Sequence, residues 1–260
     1  MNPRPHERIE ATLRTAAAQG TPALVAFLTA GYPSRERFRT DLAAIASAAD
    51  VVEIGIPFTD PMADGVTIQR SSREALRQGV TLAWILAELK ALAPQPTPLV
   101  LMGYLNPLLA YGYARLAGDA AAAGVCGFIV PDLPLDESAP LRSALDVQGL
   151  ALIQMVTPVT PPERMARLCE ASQGFVYAVT MTGTTGKGAA VPTELGAYLR
   201  RVRDLAKVPV CAGFGIRSPA QVAQLRGQVE GVIVGSALVE VLERGESPQA
   251  WLAALRSAGP

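Results

Sequence analysis

A closed (β/α)8 barrel of the TIM-barrel class, an α/β fold with one extra N-terminal helix, is what this 260-residue sequence predicts. Three observations carry that expectation. Eight short apolar segments, rich in β-branched residues, alternate with segments of helical periodicity. The apolar segments are near-continuous, which marks strands covered on both faces and therefore parallel. The length suits a single domain over residues 1–260, and the eightfold repeat selects a closed barrel over an open doubly wound sheet.

The elements follow in order. Arg8 to Ala18 reads as a helix, with Ile9 and Leu13 on one face and Gly20 as its stop. Pro22 to Leu28 is the first strand, and Ser34 is placed to cap a helix carrying Phe38, Leu42 and Ile45. Val51 to Ile56 is the second strand. A helix from Ile68 to Gln78 breaks at Gly79, and Thr81 caps a further piece with Leu82, Ile85, Leu86 and Leu89 inward. Leu99 to Met102 is the third strand. The helix after it runs through Ala120 to Ala123 and stops at Gly124. Phe128 to Val130 is the fourth strand, with Asp136 as cap of the helix bearing Leu141 and Leu145. Leu150 to Val156 is the fifth. Thr160 to Glu163 has the pattern of a capping box with proline at the first helical position. Phe175 to Val179 is the sixth strand, followed by a glycine-rich loop and a helix with Leu195, Leu199 and Val202. Val208 to Ala212 and Gly231 to Val234 are the last two strands. A second capping-box pattern, Ser218 to Gln221, lies between them, and helices around Leu238–Leu242 and Trp251–Leu255 complete the chain.

Composition narrows the chemistry. With 23 basic and 23 acidic residues, the chain carries no net charge to recruit nucleic acid or an anionic membrane. No apolar run is long enough to span a bilayer, and the N-terminus lacks the apolar core of a signal peptide, so a cytoplasmic location is expected. Cys126, Cys169 and Cys211 read as buried free thiols, with no spacing that suits a metal. His6 is the only histidine and lies in a proline-rich tail, which leaves a His general base, a Ser-His triad or a His-bound metal without support. The three lysines, Lys90, Lys187 and Lys207, all fall outside the strands, where a Schiff-base aldolase would need one.

The stretch Asp50 to Gln69 stands out. It places a carboxylate, Glu53, inside an apolar strand, where burial is costly unless the group is paired or used. A second carboxylate, Asp64, follows in the next loop. In a barrel of this class the active site lies at the C-terminal ends of the strands. Glu53 could also be a buried carboxylate satisfied by neighbouring donors, and Asp64 a solvated turn residue. Gly215, Gly235 and Ser236, after strands seven and eight, suit a cradle for a phosphorylated small-molecule substrate, although glycines also serve tight turns alone. Phe27, Tyr104, Tyr177 and Phe214 fall near strand ends. Each alone reads as core, but together they suit a pocket for a flat aromatic group.

The motifs EIGIPFTDPMADG, LTAGYP, MGYLNP, PDLP, TTG, GFGI and VGSA occur in that order at the strand ends. With them the chain resembles the tryptophan synthase α-subunit family, from the first strand to the last helix. The resemblance implies cleavage of indole-3-glycerol phosphate to indole and glyceraldehyde 3-phosphate. It implies Glu53 and Asp64 as catalytic residues, and Gly186, Phe214, Gly215, Gly235 and Ser236 around the phosphate. Phe27, Met102, Tyr104 and Tyr177 then form the indole pocket, and Thr185 belongs to a mobile loop between Thr180 and Pro192 that closes over substrate. It implies no metal and no cofactor in this chain. The implied partner is a β subunit, which would carry pyridoxal phosphate, in an α2β2 assembly met by the loops TDPM, YLNP and DLPL. The same motifs suit a free-standing indole-3-glycerol-phosphate lyase. They also allow a non-catalytic activator of β, against which the presence of both acids argues. The sequence departs from the family at Val66, where proline is more usual, and at Met181, Thr182 and Lys187-Gly188.

The residue inventory suits this reaction independently. A retro-aldol cleavage needs an electron sink, and neither a lysine imine nor a His-bound metal is on offer. The indole ring can accept the electrons once C3 is protonated. Glu53 is expected to act as acid at C3 and base at the adjacent hydroxyl, with Asp64 on the ring N–H.

Overall fold

The structure is a computed structural model and describes residues 3–92, 95–180, 193–213 and 215–257. Helix α1 (Pro5–Ala18) precedes strand β1 (Ala23–Thr29), helix α2 (Phe38–Ala46) and β2 (Val51–Gly55). Then come α3 (Val66–Arg77), α4 (Leu82–Lys90), β3 (Leu99–Met102), α5 (Leu105–Tyr111), α6 (Tyr113–Ala122) and β4 (Val125–Ile129). A 3-10 turn (Leu135–Glu137) leads to α7 (Ala139–Val147), β5 (Ala151–Val156), α8 (Pro162–Ala171) and β6 (Val176–Val179). The last elements are α9 (Thr193–Leu205), β7 (Val210–Gly213), α10 (Pro219–Gln224), β8 (Gly231–Val234), α11 (Ser236–Glu243) and α12 (Pro248–Arg256). The strands pair in sequence order, all parallel, and β8 returns to β1 to close the barrel, as the eightfold alternation predicts.

Side-chain alternation along the strands builds two cores. Leu24, Ala26 and Leu28 on β1 and Val52 and Ile54 on β2 pack outward against the helices. Val25, Val51, Val100, Ile153, Tyr177 and Ile233 point inward. The inner core is sealed at its lower end by α1, whose Ile9, Leu13 and Ala16 join it at helical spacing. Burying Ile9 and Leu13 there contributes about 1.5–3 kcal/mol each, which explains a helix that no strand demands. Among the described residues, no helix is long and apolar enough to cross a membrane.

Several helix starts differ from the sequence reading, because a capping group has another partner or the segment before the helix is held elsewhere. Ser34 does not cap α2. The segment before that helix is held by Gln78, which bonds Arg35 and Pro33, so the helix opens only at Phe38. Asp136 does not cap α7, because its carboxylate pairs with Arg167 and Arg164 and the helix opens at Ser138 ahead of Pro140. Thr160 does not form a capping box. Its hydroxyl accepts the Thr157 N–H and closes a turn, leaving Pro161 as the first residue before α8. Ser218 and Gln221 form the predicted capping box. The long helix after β3 is split at Gly112, whose φ of 86° suits glycine best.

Candidate active site

Glu53 shares the inward face of β2 with Val51 and Gly55. It is 1% exposed, and its Oε2 has no hydrogen-bond partner among the described residues. Removal from water raises its pKa to about 8, and the negative charge of Asp64 pushes the same way. Tyr177 on β6 lies fully buried in the same interior. Burial and then the charges of Glu53 and Asp64 hold its phenol well above its usual range. Glu53 and Tyr177 thus both lie within range of the Asp64 charge.

Glycines at the strand ends make room for the rings. A Cβ on Gly55 would stand 2.5 Å from Phe27 Cζ, so the Phe27 ring lies across the end of β2. A Cβ on Gly213 would stand 2.5 Å from the Tyr177 hydroxyl. Gly213→Ala is accordingly expected to unseat Tyr177 at a cost of about 1–3 kcal/mol. Thermal unfolding should show a loss of several degrees, and an unchanged Tm would mean the ring does not rest there.

Asp64 lies on the loop between β2 and α3, half-buried. The Tyr104 hydroxyl donates to its Oδ2 at 3.0 Å and accepts the Ala63 N–H at 2.9 Å. Gln69 Nε2 donates to the Asp64 carbonyl at 2.9 Å. Burial raises the Asp64 carboxyl to about 6, and the Tyr104 bond offsets part of that rise. Near neutral pH the pair is thus split into a protonated Glu53 and an ionised Asp64. Two carboxyls held in opposite states can serve as proton donor and charge stabiliser.

Phe27, Met102 and Tyr104 line a narrow pocket with Asp64. Tyr177 is not on its wall but deeper in the barrel, beside Glu53. Thr29, Ile68 and Ser72, which the sequence does not single out, are also on the wall. The Thr29 hydroxyl bonds Ser71 Oγ at 2.6 Å, tying the end of β1 to α3. The buried face of α3 is made of Ser71, Ser72 and Ala75, too weakly apolar to be read as facing a pocket.

Glycines follow β7 and β8 at the same end of the barrel. Gly215 has a φ of 81°, and Gly235 precedes α11, where an added Cβ would stand 3.8 Å from Phe27 Cβ. The amides of Leu238 and Val239 both bond the Gly235 carbonyl, which leaves the Ser236 and Ala237 N–H groups as first-turn donors. Arg217 grips Glu240 at 2.7 Å and reaches Ser236 Oγ at 3.4 Å. Thr185, Gly186, Phe214 and the departures Met181, Thr182 and Lys187-Gly188 lie outside the described residues. Val66 opens α3, a position where proline fits because the first helical N–H needs no partner.

The family model described as tryptophan synthase alpha chain matches residues 13–257. A tryptophan synthase alpha chain from Solidesulfovibrio magneticus is 47% identical, over 93% of this chain and 95% of its own length. Among solved structures, tryptophan synthase from Mycobacterium tuberculosis is similar with a TM-score of 0.88 and 38% identity, over 96% of this chain and 97% of that one. The tryptophan synthase subunit alpha of Legionella pneumophila has a TM-score of 0.85 and 34% identity, over 96% and 97% of the two chains.

Proposed function

Because the chain belongs to the tryptophan synthase alpha chain family, we propose that Glu53 and Asp64 carry the lyase reaction, cleavage of indole-3-glycerol phosphate to indole and glyceraldehyde 3-phosphate. The observation that supports it most is a buried acid with an unpartnered oxygen, kept protonated near neutral pH and coupled to a carboxylate kept ionised. A buried carboxylate oxygen without a partner asks for an explanation, and a catalytic use supplies one.

Glu53 gives its proton to C3 of the indole, and the positive charge spreads to the ring nitrogen. Asp64 accepts a hydrogen bond from the ring N–H and stabilises that charge. The Glu53 carboxylate then takes the proton of the side-chain hydroxyl next to C3. The O–H electrons form the aldehyde carbonyl, the C–C bond breaks, and its electron pair restores the aromatic ring. Glu53 ends protonated, as it began. Phe27, Met102 and Tyr104 offer the flat pocket for the ring, with Tyr177 below it. Gly215, Gly235, Ser236 and the first-turn amides of α11 offer the phosphate anchor. Gly186 and Phe214 are assigned to that anchor by the family resemblance.

The partner in this reading is a tryptophan synthase β subunit in an α2β2 assembly. Met62, on the loop that carries Asp64, is 81% exposed, Val66 at the start of α3 is 77% exposed, and Leu109 is exposed on α5. An open cleft lined by Phe58, Asp60, Met62, Gln69, Arg73 and Arg77 runs beside that loop. Exposed apolar side chains around a cleft suit a protein partner, and contact there would bear directly on Asp64.

The test is release of indole from indole-3-glycerol phosphate, with and without β subunit. The expected result is activity that rises with β. Activity indifferent to β would favour the free-standing lyase. Asp64→Asn should lower kcat/KM by about two to three orders of magnitude, as loss of a charge-stabilising group does. A loss of less than tenfold would remove Asp64 from the mechanism.

A further inference from the structure

Asp64 sits on a loop whose neighbours Met62, Ala63 and Gly65 are exposed, yet its carboxylate has to be held at a fixed place. A chain of buried contacts leads to it from α3. Ser72 and Ser71 are adjacent on the buried face of that helix and use their hydroxyls differently. Ser71 donates back to the Ile68 carbonyl at 2.9 Å, as buried helical serines commonly do. Ser72 turns to the loop. It accepts the Phe58 N–H at 2.8 Å and donates to the Phe58 carbonyl at 3.1 Å. One hydroxyl thereby fixes both backbone polar groups of a single loop residue.

The Phe58 ring then stacks on Tyr104, with centroids 5.1 Å apart and planes 23° from parallel. The backbone just after Tyr104 is held as well, since the Leu105 N–H donates to Asp132 Oδ1 at 2.8 Å. What remains free to Tyr104 is the swing of its ring, and the Phe58 face limits it. At the end of that ring the hydroxyl meets both Ala63 and Asp64.

We propose that Ser72 and Phe58 are positioning residues for Asp64, acting through the ring of Tyr104. Ser72 holds Phe58, Phe58 holds the Tyr104 ring, and the Tyr104 hydroxyl holds the loop at Ala63 and Asp64. This inference rests on the role given to Asp64 above, but the geometry it claims can be measured without substrate.

Three variants test it: Ser72→Ala, Phe58→Leu and Tyr104→Phe. In the cleavage assay Ser72→Ala and Phe58→Leu should each lower kcat by about tenfold, with KM changed less than threefold. In the Tyr104→Phe background, Ser72→Ala should change kcat by less than twofold, because the route it acts through is already cut. The substrate-free readout is the titration of Asp64 in 13C-aspartate-labelled protein. The titratable groups that face Asp64 are Glu53, Tyr104 and Tyr177, and Asp132 acts on Tyr104. All three variants keep Glu53, Tyr177 and Asp132. Since the Tyr104 bond lowers the Asp64 pKa, each variant should move its midpoint upward. Full additivity of Ser72→Ala with Tyr104→Phe, or an Asp64 midpoint unmoved by Ser72→Ala and Phe58→Leu, would overturn the proposal. If the wild type releases no indole while the Asp64 midpoint moves as expected, the positioning chain stands and the catalytic reading fails.

Discussion

Glu53→Gln is expected to abolish indole release while leaving substrate bound. Glutamine fills the same volume inside the barrel and keeps a polar end, so the cavity is preserved. It has no acid proton for C3 and no carboxylate to take the hydroxyl proton afterwards. Each of those transfers contributes about 10^2–10^4 to a rate. A fall in kcat of at least about 10^3 is expected, with the dissociation constant for indole-3-glycerol phosphate within a few-fold of wild type. Stopped-time indole assays and equilibrium binding separate the two. The pH profile of the wild type gives the matching signature. Asp64 has to be ionised, so kcat/KM should rise through about pH 6. Glu53 has to be protonated, so it should fall through about pH 8. In Asp64→Asn the acid limb should vanish, and the alkaline limb should move down because the like charge beside Glu53 is gone. A profile in Asp64→Asn with both limbs unchanged would sink the assignment of the two acids, and so would turnover by Glu53→Gln.

How far the sequence foretells this site depends on the range of the forces involved. Strands β3 and β8 match the expected residues Leu99 to Met102 and Gly231 to Val234, because apolar runs buried on both faces leave no ambiguity. Glu53 stands out in the sequence for a related reason: a charge in an apolar strand is anomalous whatever surrounds it, whereas Asp64 on its loop is singled out only by the motif around it. Helix starts were less legible. A cap works only if its hydroxyl or carboxylate is not taken by something distant in sequence. Asp136 is taken by Arg167, and the start before Phe38 is set by Gln78. Ser72 belongs to this class too. Nothing in the pattern of α3 distinguishes it from Ser71, and its role exists only because Phe58 and Tyr104 arrive beside it in the fold. The spread of roles between Tyr104 and Tyr177, one on the pocket wall and one beneath it, is likewise a matter of barrel register, with Tyr177 set opposite Cys211 and over Gly213.

The same substitution that removes activity is expected to stabilise the protein, increasingly so as pH rises. The folded pKa of Glu53 stands at about 8 against 4.5 for a free carboxyl. Below 4.5 both folded and unfolded chains carry the proton, and Glu53 adds no pH dependence. Between 4.5 and 8 the unfolded chain releases the proton and the folded chain keeps it. Stability of the wild type therefore falls by about 1.4 kcal/mol for each pH unit in that window. Above about 8 the folded chain ionises as well, and the full cost, on the order of 5 kcal/mol, is in place. Glutamine cannot ionise, so the variant carries the constant cost of a buried amide and no slope from this position. Asp64 titrates in both proteins and largely cancels from the comparison. Urea unfolding of wild type and Glu53→Gln at intervals from pH 5 to pH 8.5 should give curves that diverge, with the variant gaining steadily. Parallel curves would mean that Glu53 ionises as freely in the barrel as in water, and an acid that does so could not hold a proton for C3. The catalytic acid is thus a group the fold tolerates at a cost, and that cost is the same desolvation that keeps its proton available.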